Sequence, residues 1–181
     1  INLRKDMRYT ASPVGAVMLL LAFTSPSWAS TLQVSSSGPY TTIGTAISAA
    51  SSGDTILVAA GTYTECVDFS GKNLTIAGAG SSSTRISGGG ACSNLITADS
   101  NERISFSGFS LSNGAQRGIL LVGAQANLSD ISMSSMGSTS INGGGISISW
   151  GSLFLVNSSI NGCTGYYGGA IYETAGASVN I

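Results

Sequence analysis

From Thr55 onward, apolar and polar residues alternate in short runs, each closed by Gly or Asn. Such runs include "LTIAG" (74–78), "ISFSGFSLSNG" (104–114), "GILLVG" (118–123), "NLSDISM" (127–133), "GISIS" (145–149) and "SLFLVNSSING" (152–162). A period of two predicts half-buried strands, and the Gly and Asn residues between them predict turns. One segment differs. In "YTTIGTAISAASSGD" (40–54), Ile43, Ala46, Ile47 and Ala50 follow helical spacing, and Ser51-Ser52-Gly53 stops the pattern.

The strands repeat. Phe69, Leu95, Leu121 and Ile148 follow one another at 26, 26 and 27 residues. Ile76, Phe106, Leu128, Leu155 and Ile181 form a second column, with steps of 30, 22, 27 and 26. Ile119, Ile146 and Ile171 form a third, each preceded by a small residue (Gly118, Gly145, Ala170). Columns sharing a period near 25 residues predict one structural unit per turn of chain, stacked on the last. With several short strands and no helix per unit, the expected fold is all-β. It is a parallel β-helix solenoid with coils of about 22–30 residues, spaced by the inter-strand distance of about 4.8 Å. An antiparallel sandwich has no reason to hold three columns in register, and the Leu/Asn consensus of a leucine-rich repeat is absent. The helical segment is expected to cap the first coil, covering its apolar end and open strand edges.

Cys66 and Cys92 are 26 residues apart, the same step as Phe69 to Leu95. That register stacks them on adjacent coils, within disulfide reach, and predicts a Cys66–Cys92 bridge rather than a pair of stacked free thiols. Cys163 is left over, either as a free thiol or with a partner after residue 181.

The chain's first segment reads differently. Met7 and Arg8 precede a ten-residue apolar run, Val14 to Phe23, and "SWA" offers small residues at Ser27 and Ala29. This is the pattern of a secretory signal peptide over 7–29, cut between Ala29 and Ser30, with 1–6 upstream of the start. The apolar run is too short for a bilayer core of about 30 Å, so no membrane span is expected after signal removal. Residues 30–54 would form the N-terminal cap and 55–181 the coils. The last strand, "GASVNI", has no capping element after it, so the sequence reads as truncated.

Composition narrows the function. Residues 30–181 carry four basic and seven acidic residues, a net of −3, and the whole chain has no His. The four cations, Lys72, Arg85, Arg103 and Arg117, are scattered, which argues against nucleic-acid binding. Export would provide the oxidising compartment a disulfide needs.

The stretch "YTTIGTAISAASSGDTILVAAGTYTE" (40–65) resembles the N-terminal cap and first coil of right-handed parallel β-helix proteins of the pectin-lyase-like superfamily. Downstream, "GGGISI" (143–148) and "LVNSSINGCTGYYGGAIY" (155–172) resemble repeats of polymorphic outer-membrane and autotransporter-like surface proteins. The resemblance covers 31–181 and implies a right-handed coil. Within the cap motif, Gly53 would turn the chain out of the helix, Gly61 would sit at a corner and Tyr63 would cover the end of the stack. Asp54 and Glu65 are expected to hydrogen-bond turns and cap rather than to catalyse.

The same wall carries lyases, esterases and non-catalytic adhesins. Polysaccharide-cleaving members need clustered carboxylates, or acids for Ca²⁺ with a base beside them. No such cluster is legible here, and Asp130 shares a turn slot with Gly108 and Asn157. The best charged grouping is Asp99, Glu102, Arg103 and Arg117 around the loop "TADSNER" (97–103). Trp150, Tyr166, Tyr167 and Tyr172 offer either a sugar-stacking surface or ordinary packing. The expectation is a secreted or cell-surface scaffold, adhesin-like or passenger-like, needing no cofactor or metal and binding polysaccharide or a cell-surface component. The alternative is the N-terminal part of a polysaccharide lyase or pectin esterase whose catalytic residues lie after residue 181.

Overall fold

The computed structural model describes residues 28–174 and 176–181. Apart from Trp28 and Ala29, the expected leader and the residues upstream of it lie outside this range. The spine of the main sheet is seven parallel strands: Thr31–Val34, Thr55–Val58, Thr75–Gly78, Arg103–Ser112, Gln125–Ser134, Ser152–Val156 and Ser178–Asn180. A second parallel sheet stacks Val67–Asp68, Asn94–Ala98, Arg117–Val122, Ile146–Ser149 and Ile171–Glu173. The chain visits the sheets in turn: five circuits add a strand to each, while Thr31–Val34 and Ser178–Asn180 join the main sheet alone. The result is a parallel β-helix of about six turns.

Each circuit bends within the main sheet. In the two middle coils the bend is a kink inside a ten-residue strand, at Gly108 (φ 77°) and Asp130 (φ 51°). In the next coil Asn157 (φ 49°) breaks the strand in two, giving Ser152–Val156 and Ser159–Asn161. The expected turn slot is thus a left-handed corner, which Gly, Asp and Asn adopt at least cost. Gly108 is further constrained, because a Cβ there would lie 2.7 Å from the Gly78 carbonyl oxygen.

Inward residues form the expected ladders. Leu32, Ile56, Ile76, Phe106, Leu128 and Leu155 stack in register, as do Val67, Ile96, Ile119, Ile146 and Ile171. Phe106 and Phe109 stack face to face at 4.4 Å, and Phe69 meets Phe106 edge-on at 6.4 Å. All three rings are fully buried. Phe and Ile side chains closed off from water in this way each contribute about 1.5–3 kcal/mol.

One column needs correction. Leu121 and Ile148 pair as expected, but the residue below Leu121 is Ala98, not Leu95. Val67 pairs with Ile96, so the step there is 29 residues. Earlier in the same circuit, Thr64 pairs with Ser87, a step of 23. The Gly-rich segment 88–93 supplies the six-residue difference by looping out between the two sheets. Leu95 is still buried, next to Ile96 rather than in its ladder.

The disulfide Cys66–Cys92 is present, with Cα atoms 5.6 Å apart. It ties the base of this loop to the coil below, instead of joining two ladder partners as the register had implied. Cys163 is a free thiol, pushed up in pKa by burial and therefore protonated at neutral pH.

The helix spans Ile43–Ala49, shorter than the apolar spacing suggested, with Ile43, Ala46 and Ile47 buried against the first coil. Its own first and last turns contain no charge.

Candidate functional site

The cap is built by carboxylates and one ammonium brought from neighbouring coils. Glu65 follows the strand Gly61–Thr64 and places its two oxygens 2.9 Å from the N–H groups of Ile43 and Gly44. These are two of the donors a helix leaves unpaired at its start, where the dipole also favours negative charge. At the other end, the Lys72 ammonium donates to the carbonyls of Ile47, Ser48 and Ala50 at 2.7–3.0 Å. Asp54 accepts from the N–H groups of Ser30 and Ser51, both at 2.7 Å, and these bonds hold its pKa below the usual carboxylate value. Tyr63 is buried and donates its hydroxyl to the Ala59 carbonyl. Gly53 takes φ 100° as the chain leaves the helix. Gly61 opens the strand that carries Tyr63.

Three other acids are used in the same way. Asp68 accepts from Ser70 N–H. Glu102, 1 % exposed, accepts from the N–H groups of Gly71 and Ser100 at 3.1 and 2.7 Å. Asp130 accepts from the N–H and hydroxyl of Ser81, two coils below, with no side chain at Gly108 between them. Asp54, Glu65, Asp68, Glu102 and Asp130 therefore serve as backbone staples.

The four residues of the expected charged grouping turn to different partners. Glu102 faces inward to its turn, while Asp99 is exposed beside the Ser100 hydroxyl. Arg103 begins a main-sheet strand and Arg117 a second-sheet strand. Arg117 donates to the Asn142 carbonyl and contacts Asn94.

Arg103 instead belongs to a different constellation. A shallow groove of about 290 Å³ crosses the outer face of the main sheet over Asn73, Arg103, Gln125 and Asn127. The Arg103 Nε donates to Gln125 Oε1 at 3.1 Å, and its backbone N–H donates to Asn73 Oδ1 at 2.7 Å. The outward ladder Thr75, Ser105, Asn127 continues upward to Phe154, whose ring is 45 % exposed. Planar amides, a guanidinium and an open aromatic ring thus share one face.

Thr75, Ser105, Asn127 and Phe154 sit one position before the apolar column Ile76, Phe106, Leu128 and Leu155, and Asn73, Arg103 and Gln125 sit three before it. Those offsets were the signal that could have found them, since strand neighbours face opposite sides.

The remaining aromatics do not form one surface. Trp150 stands exposed at a corner, packed over Gly176, just after the strand Ile146–Ser149. Tyr166 and Tyr167 meet edge-to-face at 4.6 Å, ahead of the strand Ile171–Glu173 that carries Tyr172. Among the described residues, no three His, Cys, Asp or Glu side chains are grouped to hold a metal ion, and no helix is long and apolar enough to cross a membrane.

No family model and no curated protein matches the chain.

Proposed function

We propose that this chain is an exported, non-catalytic β-helix module of the pectin-lyase-like type that binds polysaccharide along the outer face of its main sheet. One observation carries the reading: Asn73, Arg103, Gln125 and Asn127 line one outer groove, and Phe154 lies one coil further along the ladder of Asn127. Amides and a guanidinium match sugar hydroxyls and carboxylates, and an open ring offers an apolar face to a sugar ring. The single cation makes a uronate-containing chain the preferred class. The acids near the cap and corners are already bonded to backbone, which supports a scaffold role over acid–base chemistry.

The test is affinity electrophoresis on pectin and alginate gels, with neutral glucan as the control. Uronate gels should retard the protein, and Arg103→Ala and Phe154→Ala should each weaken binding about tenfold, roughly 1.4 kcal/mol. Equal mobility on every gel would refute the binding reading. Release of unsaturated or de-esterified products by the same preparation would replace it with the enzyme reading.

A further inference from the structure

Ser30, the residue expected to follow the scissile bond, is already built into the fold. Its carbonyl accepts from Thr55 N–H at 2.8 Å, which extends the pairing of Thr31 with Thr55 by one residue. Its nitrogen lies 2.7 Å from Asp54 Oδ1. The residues before it leave the molecule: Trp28 is 84 % exposed. Asp54 is 5 % exposed, and its second oxygen holds the Ser51 N–H in the turn after the helix. One carboxylate therefore joins the chain start, the helix exit and the first full coil.

An amide nitrogen brings one hydrogen and no charge to this contact. Hydrolysis of the Ala29–Ser30 bond by a signal peptidase consumes one water, leaving a carboxylate on Ala29 and an amine on Ser30 that is protonated at neutral pH. We propose that this new α-ammonium pairs with Asp54, so that removal of the leader strengthens the cap. The proposal rests on the export reading and on cleavage at this bond. No rearrangement is needed, because the nitrogen already stands at the distance of a charge-assisted hydrogen bond. An amine placed one residue earlier would fall about 3.3–3.6 Å further along the chain, outside that contact.

Lys72, bound to the carbonyls of Ile47, Ser48 and Ala50, is the other charge facing Asp54 and favours its ionised form. The pair's contribution is bounded on both sides. It is lost as pH falls through the pKa of Asp54, and lost again as pH rises through that of the amine.

The experiment uses chains released from an intracellular fusion directly before Ser30, compared with an N-acetylated form and a form that retains Trp28 and Ala29. The free-amine chain should melt about 2–4 °C above both at pH 6. The gap should close in Asp54→Asn and also in alkaline buffer. NMR titration of the Ser30 amine should place its pKa above the usual α-amine range, a readout that does not depend on the Asp54 variant folding. Equal melting of all three forms, or an ordinary amine titration, would overturn the pairing and leave the cleavage site standing. N-terminal sequencing of the exported protein tests the premise separately, and a start at any residue other than Ser30 would overturn the proposal from that side.

Discussion

Replacing Glu65 by Ala is the sharpest probe of how this β-helix is closed. The substitution removes the acceptor for two helix N–H groups, each held at 2.9 Å by a charged oxygen. Thr42 continues to cap Thr45, so the helix keeps one of its own N-terminal bonds. A lost cap costs typically about 1 kcal/mol and a hydrogen bond to a charged group about 1.5–3 kcal/mol. Partial exposure of Glu65 lets water replace some of this, so the expected loss is about 2 kcal/mol. For a chain of this size that corresponds to a fall in Tm of about 4–8 °C. The loss should be local in origin: amide exchange in 43–50 should accelerate while the ladder Ile119–Ile146–Ile171 stays protected. Glu65→Gln, which keeps one carbonyl oxygen, should recover part of the stability, and the exposed Glu173→Ala should be neutral. A Tm unchanged within 1 °C, with helix amides exchanging as in the parent, would show that apolar docking alone holds the cap.

Three further outcomes follow from the same geometry. Cys66→Ser with Cys92→Ser opens a loop spanning 26 residues and should cost about 3 kcal/mol by urea denaturation, with the difference abolished when the parent is reduced. Asp54 has its pKa lowered, first by the Ser30 N–H and then by that of Ser51. Its stabilisation is therefore complete above the ordinary value of 3.8 and disappears as pH falls through the lowered one; Asp54→Asn should flatten the acid limb of a Tm–pH curve. At Asp130, Asn should be tolerated better than Ala, since Ala meets the left-handed backbone without a local hydrogen bond, at a cost of about 1–2 kcal/mol; equal melting of the two variants would remove the corner argument.

How much of this could be read beforehand depends on which way a residue points. Ile76, Phe106 and Leu128 announced themselves because a ladder buried inside a coil must be apolar at every level. The corner was legible at Asp130 and Asn157 for a related reason, since few residues accept its backbone. Glu65 and Asp54 were recognisable as hydrogen-bonding groups, although their partners were not. Leu95 misled because a looped segment changes the step while leaving the spacing of apolar residues superficially regular. Cys92 fell at a matching interval through the same loop, so the correct bond rested on a register that does not exist there. Lys72 carried no local signature, and the Arg103 groove carried only its offset from the apolar column. Outward positions face water, tolerate many side chains, and acquire meaning only when the coils bring them together.

The bond between Asp130 and Ser81 has a consequence for how the molecule comes apart. In a solenoid whose units touch only their neighbours, melting can advance one unit at a time from an end. A staple that skips a level adds a second-neighbour coupling, so the coil containing Gly108 cannot open without breaking contacts above and below it at once. These three levels should behave as a single foldon with a common exchange rate, and the disulfide Cys66–Cys92 couples its lowest level, which carries both Ser81 and Cys92, to the coil beneath.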